Sequence, residues 1–281
     1  MKSIIALLIF SVLAAPARAQ EEKWDARMSA ASGDVTVVPA DGSPEVSGEA
    51  GMPLEEGDRV VTAEGGSAEV ALDGSSLITV RENSDFKLEK TAKNESTFFL
   101  AAGSMLAKIQ KLGNQRLRVR TPTAVAAVRG TEFGVEAAGD QSHVGVFDEG
   151  KVEVTGDKGG APELLISNQE TSIAKGAAPE HAAQLKRFIA HRAAMRGHSR
   201  RLASIKSKWK ALPPGERGEM RKKMLQRMLE HRKKMLGKRA EFKQKLEEKR
   251  KQKQERSMER RQQNLKQMDE RRNKIRGHRD N

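Results

Sequence analysis

The chain has 281 residues, enough for one domain with an extension or for two domains, and it contains neither cysteine nor tyrosine. The missing cysteine excludes disulfides, a cysteine zinc site, a thiol nucleophile and a lipidated N-terminal cysteine. The formal net charge of +14 is unevenly spread: residues 1–180 hold 18 Lys+Arg against 27 Asp+Glu, and residues 181–281 hold 34 against 11. Such asymmetry points to a basic arm that meets something acidic.

At the N-terminus, Lys2 gives a short positive start, Ile4 to Leu13 is apolar except for Ser11, and Ala17-Arg18-Ala19 is a small-x-small site. This predicts a secretory signal peptide over residues 1–19, with Gln20 the first mature residue. The run is short for a membrane anchor, and no later stretch approaches about 18 continuous apolar residues. No transmembrane span is therefore expected, and the mature protein is expected to be periplasmic or otherwise exported.

Residues 20–28 read as a polar lead-in, and a β pattern begins at Ala31. Val35, Val37 and Val38 predict a first strand, closed by turn residues from Pro39 to Pro44. Glu56-Gly57-Asp58 predicts a turn before Arg59-Val60-Val61-Thr62, and Gly65-Gly66 predicts another. Ala68, Val70 and Leu72 alternate with polar or small residues up to Asp73-Gly74, a hairpin signal. Leu77 to Val80, Phe86 with Leu88, Phe98 to Leu100, and Met105 to Ile109 each predict a strand, Gly103 separating the last two. Leu112-Gly113-Asn114 predicts a turn, after which Leu117 and Val119 alternate with Arg116, Arg118 and Arg120.

Thr121 to Gly134 sits in the middle of this region. Thr121 precedes a proline and is pushed toward extended backbone, and Pro122 suits a strand start or an edge. Val125 to Val128 is small and apolar, Gly130 permits a bend, and Thr131, Phe133 and Val135 alternate with Glu132, Gly134 and Glu136. Gly139-Asp140 predicts a turn. Val144 and Val146 are expected to pair with Val152 and Val154 across Asp148-Glu149-Gly150 as the cleanest hairpin. Leu164 with Ile166, then Ile173, predict the last strands. Short strands and frequent turns imply a mainly β domain, a sandwich, barrel or coiled solenoid, with no βαβ unit.

From about Pro179 the pattern becomes helical. Leu185, Phe188 and Ile189 keep a 3–4 spacing, and Leu202, Ile205 and Trp209 resume it. Leu212-Pro213-Pro214-Gly215 ends that helix, with Pro214 placed to precede the next. A second helix from about Glu216 carries a loose stripe of Met220, Met224, Met228, Met235, Phe242 and Leu246, sparser beyond Glu247 through Met258, Leu265, Met268 and Ile275. Pairs such as Glu230–Lys234 and Glu241–Lys245 support it by about 0.2–0.5 kcal/mol each. A long, weakly packed helix fraying before Asn281 is expected rather than a stable coiled coil, because Lys and His break the seam.

Ser32-Gly33-Asp34-Val35, Glu56-Gly57-Asp58-Arg59-Val60-Val61-Thr62, Asp73-Gly74-Ser75, Asn83-Ser84, Thr121-Pro122, Arg129-Gly130-Thr131-Glu132-Phe133 and Glu149-Gly150-Lys151-Val152 stand in the order and spacing of the FecR domain. The chain resembles that family over residues 29–175, with a basic helical region over 180–281. The resemblance implies an all-β extracytoplasmic domain, which in its best known members works in signalling between an outer-membrane transporter and an anti-sigma machinery. It makes Gly57, Asp58, Thr121, Pro122, Arg129, Gly130, Thr131, Glu132, Phe133, Glu149 and Gly150 the family-motif positions, with structural duties expected. The chain departs from those members in placing a signal peptide, and no spanning helix, before the β domain.

No Gly-x-Ser-x-Gly, His-Glu-x-x-His or phosphate loop occurs. Asp58, Asp73, Glu132 and Glu149 lie at turns or strand ends, where a pair would have to meet in space to act as a dyad. His191 and His198, seven apart, are expected on one helix face but have no carboxylate or cysteine beside them to complete a metal site. No catalytic residue, metal or cofactor is expected. Arg116, Arg118, Arg120 and Arg129 form either an anion-binding stripe or a solvated face. The basic tail suits an acidic surface such as lipopolysaccharide or anionic lipid, the acidic β domain itself, or a solvated spacer; export argues against nucleic acid. The leading expectation is a non-enzymatic envelope protein whose β domain binds a protein or glycan. The alternative is an extracytoplasmic signalling component of an anti-sigma or transport-sensing system. The oligomeric state stays open.

Overall fold

A computed structural model describes residues 21–110 and 116–277. The segment expected to be a signal peptide, residues 1–19, and the turn expected at Leu112-Gly113-Asn114 lie outside the described residues, as does the end of the chain from 278. The strands run β1 (Ala26–Ser32), β2 (Val35–Val38), β3 (Val46–Ser47), β4 (Pro53–Leu54), β5 (Arg59–Thr62), β6 (Ser67–Leu72), β7 (Ser76–Val80), β8 (Ser84–Lys90), β9 (Glu95–Lys108), β10 (Arg116–Arg120), β11 (Ala124–Val128), β12 (Glu132–Ala138), β13 (Gln141–Val146), β14 (Lys151–Gly156), β15 (Gly159–Ile166), β16 (Gln169–Ala174) and β17 (Ala183–Gln184). The helices α1 (Arg192–Lys208) and α2 (Pro214–Gly277) follow, a 3₁₀ turn at Ile189–His191 leading into α1. No helix among the described residues is long and apolar enough to cross a membrane.

The strands form one open sheet folded into two leaves, with β9 belonging to both. Leaf I has the order β4-β1-β6-β7-β9-β12-β13-β16-β17. Leaf II has the order β3-β2-β5-β8-β9-β10-β11-β14-β15. Every neighbour is antiparallel except β9 and β10, which run parallel. Residues Thr97–Ala102 of β9 pair with β8, and Gly103–Lys108 pair with β12. The two strands expected on either side of Gly103 are thus one strand bent there. The inward faces share a core of Val37, Val60, Phe86, Leu88, Phe98, Val119, Val70, Ile78, Phe133, Val144 and Val146, all with no exposed surface. Period-2 alternation produces this, each strand turning every second side chain inward.

Three expectations are corrected. The polar lead-in is core from Trp24 onward: Trp24, Ala26 and Met28 are buried, and the Trp24 indole N–H donates to Ser96 at 2.6 Å. The expected Val144/Val146 hairpin with Val152/Val154 does not exist. β13 pairs with β12 and β16 in leaf I, and β14 pairs with β11 and β15 in leaf II. Residues 147–150 are a corner between leaves, because Phe147 N–H donates to the Glu132 carbonyl and Glu132 N–H to that of Glu149, which turns the chain away from its own strand. Residues 180–188 are not helical: Ala183–Gln184 is a strand on β16, a 3₁₀ turn forms only at Ile189–His191, and α1 starts at Arg192.

The chain divides into two units, residues 1–221 and 222–281. The first holds both leaves, α1 and the first two turns of α2. The second is the remainder of α2, in which Met235, Phe242, Leu246, Met258 and Met268 are exposed. Pro214 occupies the first position of α2 rather than preceding it, where its missing N–H costs nothing.

Candidate functional site

The deepest ionic group lies where α2 begins. Asp58 is fully buried, and its carboxylate accepts the backbone N–H groups of Ala40 at 2.9 Å and Glu55 at 2.8 Å. Arg221 grips the same carboxylate with both terminal nitrogens, at 2.6 and 2.9 Å, and donates to the Pro53 carbonyl at 2.9 Å. One turn earlier, Arg217 holds Glu55 at 3.0 and 2.9 Å and donates to the carbonyls of Trp24 at 2.7 Å and Leu54 at 3.0 Å. Both arginines are only 7% exposed. Their i,i+4 spacing puts them on one face of α2, and the planar fork of guanidinium matches a carboxylate bidentately. A buried pair of this kind adds little net stability, since desolvation offsets attraction, but losing one partner strands a charge. It therefore acts as a lock that selects where the helix start docks.

Trp209 and Leu212 lie beside this arginine pair. The Arg27 guanidinium lies 4.4 Å from the Trp209 ring centroid, and Trp209 sits on Gly74, where a Cβ would meet its ring at 2.6 Å. A cleft of about 640 Å³ opens beside them between Asp25, Glu55, Asp73, Lys93 and Arg217.

The outer face of leaf I is covered by residues 185–201. Gly134 and Gly145 stand opposite one another on β12 and β13, and a Cβ on either would come within 2.7 Å of the Phe188 ring. The paired glycines form a socket for that ring, which clusters with Leu106, Phe147, Leu185 and Met195. His198 of α1 is fully buried and hydrogen-bonds Thr79 of β7 at 2.8 Å. Burial, with lesser contributions from Arg201 and Lys108, lowers its pKa to about 4. His191 is not on α1 with it: it lies in the preceding 3₁₀ turn, against the Arg81 guanidinium. Arg201 pairs with Glu69 at 2.7 Å. Burial raises the Glu69 pKa despite that arginine.

The motif residues divide among corners, core and surface. Thr121 caps the β10–β11 turn, its hydroxyl oxygen accepting from Ala124 N–H at 2.9 Å and from the Ser142 hydroxyl at 2.8 Å, while Pro122 is exposed at the tip. Thr123 donates to Ser142 at 2.6 Å, which ties leaf II to leaf I. Gly130 (φ +65°) and Gly150 (φ +106°) turn two corners between the leaves. Thr131 staples those corners by donating to the Lys151 carbonyl at 3.0 Å. Phe133 is core. Glu132 pairs with Lys108 at 2.5 Å, and Lys108 also donates to Ser199 of α1 at 2.9 Å. Gly57 (φ +91°) shapes the turn that presents Asp58. Glu149 and Arg129 are exposed.

The four carboxylates considered as a dyad are not brought together: Asp58 is taken by Arg221, Glu132 by Lys108 and Asp73 by Lys93 at 2.7 Å. Among the described residues no group of three or more His, Asp or Glu side chains is placed to hold a metal ion. Arg116 and Arg118 do share the outer face of β10, and with Arg129, Lys151, Glu153 and Leu164 they line a cleft of about 590 Å³ on leaf II. Sequence reasoning missed Arg217, Arg221 and the socket for Phe188. The available signal was Arg217-x-x-x-Arg221 directly after Pro213-Pro214-Gly215, where a first turn normally favours carboxylates.

A search of the curated proteins finds no match. Two crystal structures of a candidate anti-sigma factor from Parabacteroides distasonis are similar at 16% identity and a TM-score of 0.41, over 47% of this chain and 62% of that one, so this chain spans less than two thirds of that protein. The family described as FecR protein matches residues 58–153, from the buried Asp58 to Glu153 in the leaf II cleft. Residues 58–153 carry a FecR domain, and of the motif residues placed above all but Gly57 fall within that match.

Proposed function

We propose that this protein is a non-enzymatic regulatory component, a signalling or transport-sensing element that works outside the cytoplasm after export directed by residues 1–19. The FecR match over residues 58–153 carries this reading. It is supported by the state of the motif carboxylates, since Asp58 and Glu132 are tied into the architecture by Arg221 and Lys108 rather than turned toward a substrate. The β domain engages a protein or glycan partner. Deleting the gene and comparing transcripts, with the full chain reintroduced as control, tests the role. A defined set of transcripts that changes and is restored supports it, and an unchanged transcript profile removes it.

A second reading concerns the tail. Residues 222–281 hold 23 Lys+Arg against 9 Asp+Glu, a charge suited to lipopolysaccharide or anionic lipid as a second anchor. Mature chain and a chain ending at Arg221 are compared for binding to anionic vesicles across a salt series. Binding that needs the tail and weakens with salt supports it, whereas salt-insensitive or absent binding removes it.

A further inference from the structure

We propose that the outer face of leaf II is the docking surface for an extended acidic peptide segment of a partner protein, one in which carboxylates alternate with aliphatic side chains. This deepens the proposed regulatory role by naming where the β domain meets its partner.

The two leaves are finished differently. The outer face of leaf I is closed by Leu185, Phe188, Met195 and His198, all buried. Among the described residues no such strap lies on the outer face of leaf II over β10, β11, β14 and β15, and the cleft lies there. Its shape follows from register. Arg118 on β10 stands opposite Ala127 on β11, Ala127 opposite Glu153 on β14, and Glu153 opposite Leu164 on β15. The short Ala127 side chain between longer neighbours makes the floor of a trough running along β11. Arg116 and Arg118 form one wall, and Lys151 with Leu164 forms the other. Arg129 stands at the end of β11.

The chemistry of the walls selects the occupant. Arg116, Arg118 and Lys151 stand around Glu153, with Arg129 at the end of the trough. Arg118 is held by Glu95 at 2.6 Å, with both side chains about two-fifths exposed. Such a pair is weak, so an incoming carboxylate can replace it at little cost. The far wall adds aliphatic surface beside Lys151: Leu164, which lines the cleft, is 52% exposed, and Ile166, next on the same face of β15, is 46% exposed. Both lie on β15, whose ladder runs to β14 alone. A lone phosphate would find no buried cation here, and a glycan would leave those aliphatic side chains uncovered. A peptide in extended conformation repeats every second residue at about 6.6–6.8 Å, so it sets carboxylates toward the cations and aliphatic groups toward Leu164 and Ile166. The chain's own residues 222–281 carry the same sign of charge as the trough and are not its complement.

The test uses the full chain and a fluorescent ten-residue peptide of alternating Glu and Leu, with decaglutamate, polyphosphate and anionic vesicles as competitors, at physiological salt. Arg116→Ala with Lys151→Ala is expected to weaken the peptide by about tenfold. Leu164→Ala should weaken it by about fivefold while leaving decaglutamate unchanged. Lys249→Ala with Lys251→Ala, on α2, should change neither. Methyl resonances of Ala127 and Leu164 are expected to shift on adding the peptide to the unaltered protein. The proposal is overturned if the trough pair changes affinity by less than twofold, if the α2 pair carries the loss, or if neither methyl shifts. Equal competition by polyphosphate or vesicles with no dependence on Leu164 overturns the peptide assignment. A failure here leaves the transcript readout of the regulatory role untouched, so the two fall separately.

Discussion

Asp58 and Arg221 form a lock whose halves are not equivalent. Arg221→Ala leaves Asp58 buried with only its two backbone donors, and is expected to cost about 3–5 kcal/mol in denaturant unfolding. Asp58→Leu with Arg221→Met, which removes both charges and keeps bulk, should recover most of that loss, because no charge is left stranded; failure to recover would show that the backbone donors depend on the carboxylate. At the Phe188 socket, Gly134→Ala places a Cβ 2.7 Å from the ring and is expected to cost about 1–3 kcal/mol by overpacking. The same change in a Phe188→Ala background should cost far less, a coupling that a double-mutant cycle reads directly. Gly134 was legible in the sequence only as an outward position of an alternating strand. Its partner, 54 residues away, was not, since nothing local distinguishes a glycine that makes room from one that turns.

α1 was legible as amphipathic, but the residues it buries are Met195 and His198 rather than Leu202, Ile205 and Trp209. The N-terminal half of α1 is the part that meets leaf I, where Met195 joins the Phe188 cluster and His198 reaches Thr79. His198 makes this docking pH-sensitive. Its native pKa of about 4 lies below the ordinary histidine value near 6.5, so between those values the unfolded chain takes up a proton that the native state refuses. Stability from this group is complete above about pH 6.5 and is lost as pH falls toward 4, by up to about 3 kcal/mol. Melting curves across that range should show the loss in the unaltered protein and a flatter profile in His198→Gln. The corners between leaves explain the false hairpin. Asp148-Glu149-Gly150 has the composition of a hairpin turn, but Gly150 at φ +106° lies against Thr131, where a Cβ would meet the hydroxyl at 2.3 Å. Hairpin and corner use the same residue types, and only the partner strands separate them.

Taken together, residues 185–221 belong with the sheets: the segment closes leaf I and ends in the arginine lock. A chain ending at Arg221 is therefore expected to keep one cooperative melting transition. A chain ending at Lys208, which lacks Arg217 and Arg221, should melt about 10 °C lower. Equal melting temperatures for the two truncations would show that the lock contributes nothing to the fold.

The sequence by itself determined the β character of residues 31–174, the bend at Gly130, the length of α2 and the placement of three arginines on one strand face. These follow from local steric preference and from period-2 or period-3.6 alternation. Which leaf each strand joins, that β9 serves both, that Phe188 fills a glycine socket and that Arg217 and Arg221 bury against Glu55 and Asp58 were decided by the tertiary structure. Those outcomes depend on contacts between residues up to about 160 positions apart, where burial and desolvation outweigh the local preference of a basic residue for solvent.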